Sequence, residues 1–286
     1  MEKENSMKTI NEYLKRHSLV AGILLMFLFT WPFDMAMAGL LPFKVPYVIS
    51  ITFGWGISIA SLIMTGLTVG RLSIITLLKR FLIGRVGWKW FFIALFLYPA
   101  VFSLAVLLYW VWMGTPIDFS GVFAQKIFGA SANLPMFILP FFIFDFLTNG
   151  EEMGWRGYVL PRLQAKYSAL VSSLILGVIW GFWHFPRFLA PGNTASFALM
   201  MIKVLADAVI YTWVYNNTQG SLLLTTILHA AGNTAGVFLP IANTQSSGNL
   251  ATYLLAIVLL IICAIALTLF SGSKQLSHVE AMQAQS

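Results

Sequence analysis

The chain has 286 residues, of which 59% are hydrophobic and 9% charged, far from the roughly 25% charged residues of a soluble domain. Its formal charge of +7 does not indicate a nucleic-acid binder, because the cations sit at the ends of apolar runs and not on one basic face. The single cysteine, Cys263, lies inside the last apolar run, which excludes a disulfide framework, a CxxC zinc site and a thiol catalyst with a nearby partner.

A bilayer core takes about 20 apolar residues per helix, so the composition predicts an all-α fold, a polytopic membrane helical bundle of about eight transmembrane helices. The spans read near residues 18–38, 47–69, 90–112, 134–160, 169–189, 195–215, 221–240 and 249–271, separated by Pro42, Pro46, Gly114, Pro116, Pro191, Gly192, Asn216, Asn217 and Gly220. Residues 1–17 read as a cytoplasmic tail, 18–133 as three peripheral helices, 134–240 as the core, and 241–286 as the last helix with its cytoplasmic tail. From Ser271 to Ser286 the sequence is polar and reads as disordered. Ala36-Met37-Ala38 loosely resembles a leader cleavage site, but Pro32 and Asp34 fit a kinked span better.

With both termini in the cytoplasm, Lys3, Lys8, Lys15, Arg16, Arg71, Lys79, Arg80, Arg85, Lys89, Arg156, Arg162, Lys166 and Lys274 fall at the inner face. Only Lys44, Lys126 and Arg187 fall outside, with Lys203 in mid-span. This is the bias of a multi-pass protein of the cytoplasmic membrane.

Ionisable side chains at bilayer depth cost several kcal/mol, from about 2.5 upward, and those that persist line a cavity or pair. Here they gather in the second half as Glu151, Glu152, Arg156, His184, Lys203, Asp207, His229 and Asn233. Glu152 and Arg156 share a helix face with the acid first, a favourable pair. Glu151 points about 100° away and is the carboxylate left free for chemistry. A hairpin turning at Lys166 to Ser168 sets Glu151 level with His184. A second, turning at Asn216 to Gly220, sets His229 and Asn233 level with Asp207 and Lys203.

Trp180 precedes His184 by one turn and can pack beside and orient its ring. Gly177 with Gly181, and Gly232 with Gly236, are small-residue pairs that permit close helix packing. Other readings stand beside these. Thr148-Asn149-Gly150-Glu151 fits a capping box, which would make Glu151 structural. Lys203 and Asp207 fit a neutralising pair, or Asp207 holds the tautomer of His229. Asp145 has no partner assigned.

Glu-Glu-x-x-x-Arg at Glu151, Glu152 and Arg156, aromatic-x-x-x-His at Trp180 and His184, and His-x-x-x-Asn at His229 and Asn233 together resemble the CAAX prenyl endopeptidase and bacteriocin self-immunity family, the CPBP or Abi proteins. The usual phenylalanine of the second motif is here Trp180. The resemblance covers residues 134–240. It implies an intramembrane endopeptidase, needing no cofactor and no metal, in which Glu151 and His184 activate water while His229 and Asn233 stabilise the oxyanion. Glu152, Arg156, Trp180 and Asp207 would support them, and the bond would be cut near the cytoplasmic side.

The expected partners are a peptide or protein substrate, lipidated or membrane-embedded, and membrane lipid, with no nucleic acid. Three rivals remain: a zinc peptidase using Glu151, His184 and His229 without an HExxH helix, a non-catalytic immunity or scaffold protein, and a transporter, for which inverted repeats are missing.

Overall fold

A computed structural model of the protein describes residues 12–43, 45, 54–114, 117–119, 122–129, 132–193, 195–241 and 249–277. The helices are α1 Ser18–Met37, α2 Gly54–Thr68, α3 Arg71–Lys79, α4 Trp88–Met113, α5 Phe123–Phe128, α6 Pro135–Thr148, α7 Glu151–Gly154 and α8 Leu160–Gln164. They continue as α9 Ala169–Trp183, α10 Phe185–Phe188, α11 Phe197–Asn217, α12 Leu222–Phe238 and α13 Leu250–Ser271. Among the described residues there is no strand, and a polytopic helical bundle is the fold.

Four helices, α1, α4, α11 and α13, are long and apolar enough to cross a membrane, and α2, α9 and α12 are shorter apolar helices. Helix α4, with 26 residues, is about 39 Å long at 1.5 Å per residue. It exposes Trp88 near one end and Trp110 and Trp112 near the other, the placement of interfacial aromatic belts. Leu24, Leu28, Val258, Ile262 and Leu269 also face outward, an apolar exterior that fits a membrane protein. Helix α11 is the central one, with most of its length buried, packed against α9, α12 and α13.

The expected single span 134–160 is two pieces. Helix α6 ends at Thr148, Asn149 and Gly150 leave the helix, and the chain restarts at Glu151. The N-cap of the restart is Gly150, and Asn149 Oδ1 just before it accepts the Glu151 backbone N–H at 3.0 Å. Gly150 allows it, because a Cβ there would lie 2.7 Å from the Gly54 carbonyl oxygen and from Ser58 Oγ of α2. Trp155–Val159 then forms a π-helical turn before α8, a distortion that commonly accompanies functional sites. The span expected at 169–189 likewise ends early, at Trp183, with His184 at the turn into α10. The span expected from residue 47 is helical from Gly54; residues 46–53 and Lys44 lie outside the described residues.

The ends of the bundle differ. At one, the Tyr158 hydroxyl donates to the Ser18 carbonyl at 2.7 Å, Ser221 Oγ to the Ile83 carbonyl at 2.6 Å, and the Ala169 N–H to the Lys274 carbonyl at 2.9 Å. Lys79, Arg80, Arg85, Lys89, Arg162, Lys166 and Lys274 sit there, so this is the basic end. Residues 271–277 belong to it: Leu276 is fully buried, and Asn216 Nδ2 donates to the Gln275 carbonyl at 2.7 Å. The disorder expected from Ser271 is therefore wrong for these residues, while 278–286 lie outside the described ones.

At the far end, two indoles join α1 to α9: Trp31 Nε1 donates to the Trp183 carbonyl at 3.0 Å and Trp183 Nε1 to Thr30 Oγ1 at 2.7 Å.

Candidate active site

The restart at Glu151 puts two neighbouring carboxylates into different surroundings. Glu152 is fully buried, and its Oε1 accepts from Arg156 Nη1 at 2.9 Å and from His229 Nδ1 at 2.8 Å. The Arg156 guanidinium lies between the rings of Trp180 and Tyr211, 4.3 Å from each centroid, so its charge is met by a carboxylate at one edge and by π-faces on both sides. Glu151 is buried too, but its partners are neutral: Oε2 accepts from Trp180 Nε1 at 2.8 Å and Trp155 Nε1 at 3.2 Å. The expectation that Glu151 is the carboxylate without a cation partner within bonding distance agrees with this geometry. The capping-box reading does not, because the N-cap is Gly150 and not Thr148, whose hydroxyl donates to the Phe144 carbonyl.

Trp180 is the hub. While its Nε1 holds Glu151, its ring centroid lies 6.2 Å from that of His184 and 5.8 Å from that of His229, so one indole borders all three titratable groups. Its backbone carbonyl accepts from His184 Nδ1 at 2.9 Å. A carbonyl oxygen cannot donate, so Nδ1 carries the proton and Nε2 of a neutral His184 is an acceptor. The same logic fixes His229, whose Nδ1 donates to Glu152 and whose Nε2 remains for a ligand. The packing role expected of Trp180 was therefore too small.

Three partners escaped the sequence. Asn233 Nδ2 donates to both oxygens of Asp145, at 3.2 and 3.1 Å, which ties α12 to α6. Asp34 of α1 pairs with Arg187 of α10 at 3.3 Å, so this outer cation is bound to a neighbouring helix. Asp207 does not hold His229. It accepts from Lys203 Nζ at 2.7 Å and from the Tyr98 hydroxyl at 2.7 Å. The Lys203–Asp207 pair is thus present, and the carboxylate that fixes the His229 tautomer is Glu152. Hairpin register fixes the depth of a side chain and not the direction in which it leaves the helix, so it points to Asp207 and misses Glu152.

Residues 130–235 match the family model described as Rce1-like, type II CAAX prenyl endopeptidase Rce1-like. The likeness is confined to this segment. The CPBP resemblance read from Glu151, Glu152, Arg156, His229 and Asn233 is thereby supported. A curated relative, CAAX prenyl protease 2 of Methanococcus maripaludis, is 28% identical over 144 residues, which are 46% of this chain and 50% of the relative. The chain thus spans about half the length of the curated relative it matches.

The Rce1-like segment contains all the groups around Trp180, whereas Asp34 and Tyr98 come from α1 and α4 outside it. Among the described residues, no three His, Cys, Asp or Glu side chains are grouped as a metal site. The site lies away from the basic end: His184 follows the 15-residue α9 that starts there, about 22 Å along it. Cytoplasmic termini and a cut near the cytoplasmic side therefore pull against each other.

Proposed function

We propose that the chain is a CAAX-protease-like intramembrane endopeptidase that hydrolyses a peptide bond with water activated by Glu151 and His184. The observation that carries this reading is the Trp180 hub, which holds a carboxylate bonded only to neutral donors beside two imidazoles whose Nδ1 protons are both committed. The Rce1-like match over the same residues adds support.

The two indole bonds fall on Glu151 Oε2, which leaves Oε1 to accept a proton from water. A neutral His184 accepts a second hydrogen bond from that water through Nε2 and orients it. Attack on the scissile carbonyl places negative charge on its oxygen. Asn233 has a second amide hydrogen beyond the one held by Asp145, and His229 can donate through Nε2 as an imidazolium with Glu152 as its counter-ion. The proton taken by Glu151 then passes to the leaving amine, so the carboxylate acts first as base and then as acid.

Arg156 and Glu152 take no proton in this scheme. Their task is to hold His229, and Trp180 holds Glu151 and His184. Substrates are proposed to be peptide segments in or at the membrane, lipidated or not.

Purified protein and Glu151→Ala, incubated with a membrane-peptide library and read by mass spectrometry, test the reading. Cuts made by the wild type alone are expected. Equal cutting by both removes Glu151 as the base, and no cutting by either favours a binding or immunity role. Repeating the assay after chelation separates the zinc alternative, which predicts loss that added zinc restores.

A further inference from the structure

We infer that the Glu151 pocket opens on the non-cytoplasmic side of the membrane, so that its substrate is a peptide segment presented outside the cytoplasm by an exported or surface-held chain. The substrate half of this inference rests on the peptidase reading; the orientation half does not.

The charge pattern comes first. The inter-helix segments at the basic end carry Lys79, Arg80, Arg85, Lys89, Arg162 and Lys166, with no Asp or Glu between residues 70 and 90 or between 160 and 169. Short segments of this kind mark the cytoplasmic face. At the far end Lys126 is exposed and Arg187 is bound to Asp34, while Asp118 and Asp145 add negative charge. Orientation read this way depends on internal segments alone.

Depth and closure come second. The surroundings of Glu151 are sealed toward the basic end, where Trp155, Arg156, Tyr158 and Leu160 are fully buried and Tyr211 is nearly so. Toward the far end burial falls off. His184 and Asp145 are half-buried, Asn233 is exposed, and α6 beside it buries none of its residues. A peptide coming from the basic face would have to break the Glu152–Arg156–His229 cluster to reach Glu151, whereas one coming from the far face meets Asn233 and His184 first. Inner-face cations and a far-facing mouth together put the chemistry outside, in place of the expected cut near the cytoplasmic side.

Impermeant maleimide labelling in a Cys263→Ala background decides the orientation. Lys166→Cys reports the basic end, and Pro191→Cys and Lys126→Cys report the far end through two separate, exposed positions. In intact cells the far-end cysteines should label and Lys166→Cys should not, with the pattern reversed in inside-out vesicles. The opposite pattern overturns the inference.

In the second arm, water-soluble peptides are added outside sealed vesicles of each orientation. Glu151-dependent cleavage is expected only in right-side-out vesicles, and cleavage confined to inside-out vesicles also overturns the inference. If detergent-solubilised protein shows no Glu151-dependent cleavage, the peptidase reading fails, and labelling still decides which side the pocket faces.

Discussion

Two acid–base pairs, each four residues apart on a helix, sit in the same membrane bundle and have different surroundings. Glu152–Arg156 is wholly sealed, with both side chains at 0% exposure. Lys203–Asp207 keeps its cation at 22% exposure and its acid at 4%. The first passes its carboxylate to His229, and the second to the Tyr98 hydroxyl. Spacing along a helix therefore predicts that a pair forms but not what its third partner is. In the proposed mechanism the third partner decides whether a pair supports chemistry or only joins helices.

The largest expected effect belongs to the carboxylate outside both pairs. Glu151→Gln keeps size and hydrogen bonding but cannot take a proton, so peptide cleavage should fall by about 10²–10⁴, with unfolding temperature in detergent close to wild type. Asn233→Ala removes the proposed oxyanion donor and should lower kcat by about 10²–10³, checked by steady-state kinetics on a peptide cut by the wild type.

The two pairs then separate. Glu152→Gln leaves Arg156 buried without its counter-charge, a change that costs about 3–5 kcal/mol, and it loosens His229. Both thermal stability and kcat should drop. Asp207→Asn faces a cation with access to the surface, so its loss of stability should be smaller and kcat should stay near wild type; an equal loss of activity in both variants would erase the contrast.

Among the variants that lower kcat, the smallest loss is expected for Trp180→Phe, which removes one of two indole donors to Glu151 and leaves Trp155 in place. A hydrogen bond to a charged group is worth about 1.5–3 kcal/mol, and the retained donor and ring should hold the loss of kcat near the lower end.

Much of the bundle was legible because apolar run length and small-residue spacing are local properties. Gly177 and Gly181 do let α9 approach α11, with a Cβ on Gly177 falling 3.1 Å from the Ala208 Cβ. Glu151, His184 and His229 could be nominated because uncompensated polarity in lipid is costly wherever it occurs.

The breaks were less visible. Asn149-Gly150 is only two residues long, and its backbone contact with Gly54 lies far away in sequence. The π turn through Arg156 changes which way the helix faces after Glu152, and no residue type announces it. Asp145–Asn233 and Asp34–Arg187 join residues 88 and 153 positions apart, beyond any spacing rule.

The central claim is that Glu151 and His184 act on one water. The most direct measurement is a kinetic double-mutant cycle with Glu151→Gln, His184→Ala and the double variant on one peptide. Residues acting as a unit are strongly non-additive, so the double variant should be scarcely slower than the worse single variant. A double loss equal to the product of the two single losses would mean that the two side chains act independently, and the shared water would have to be given up.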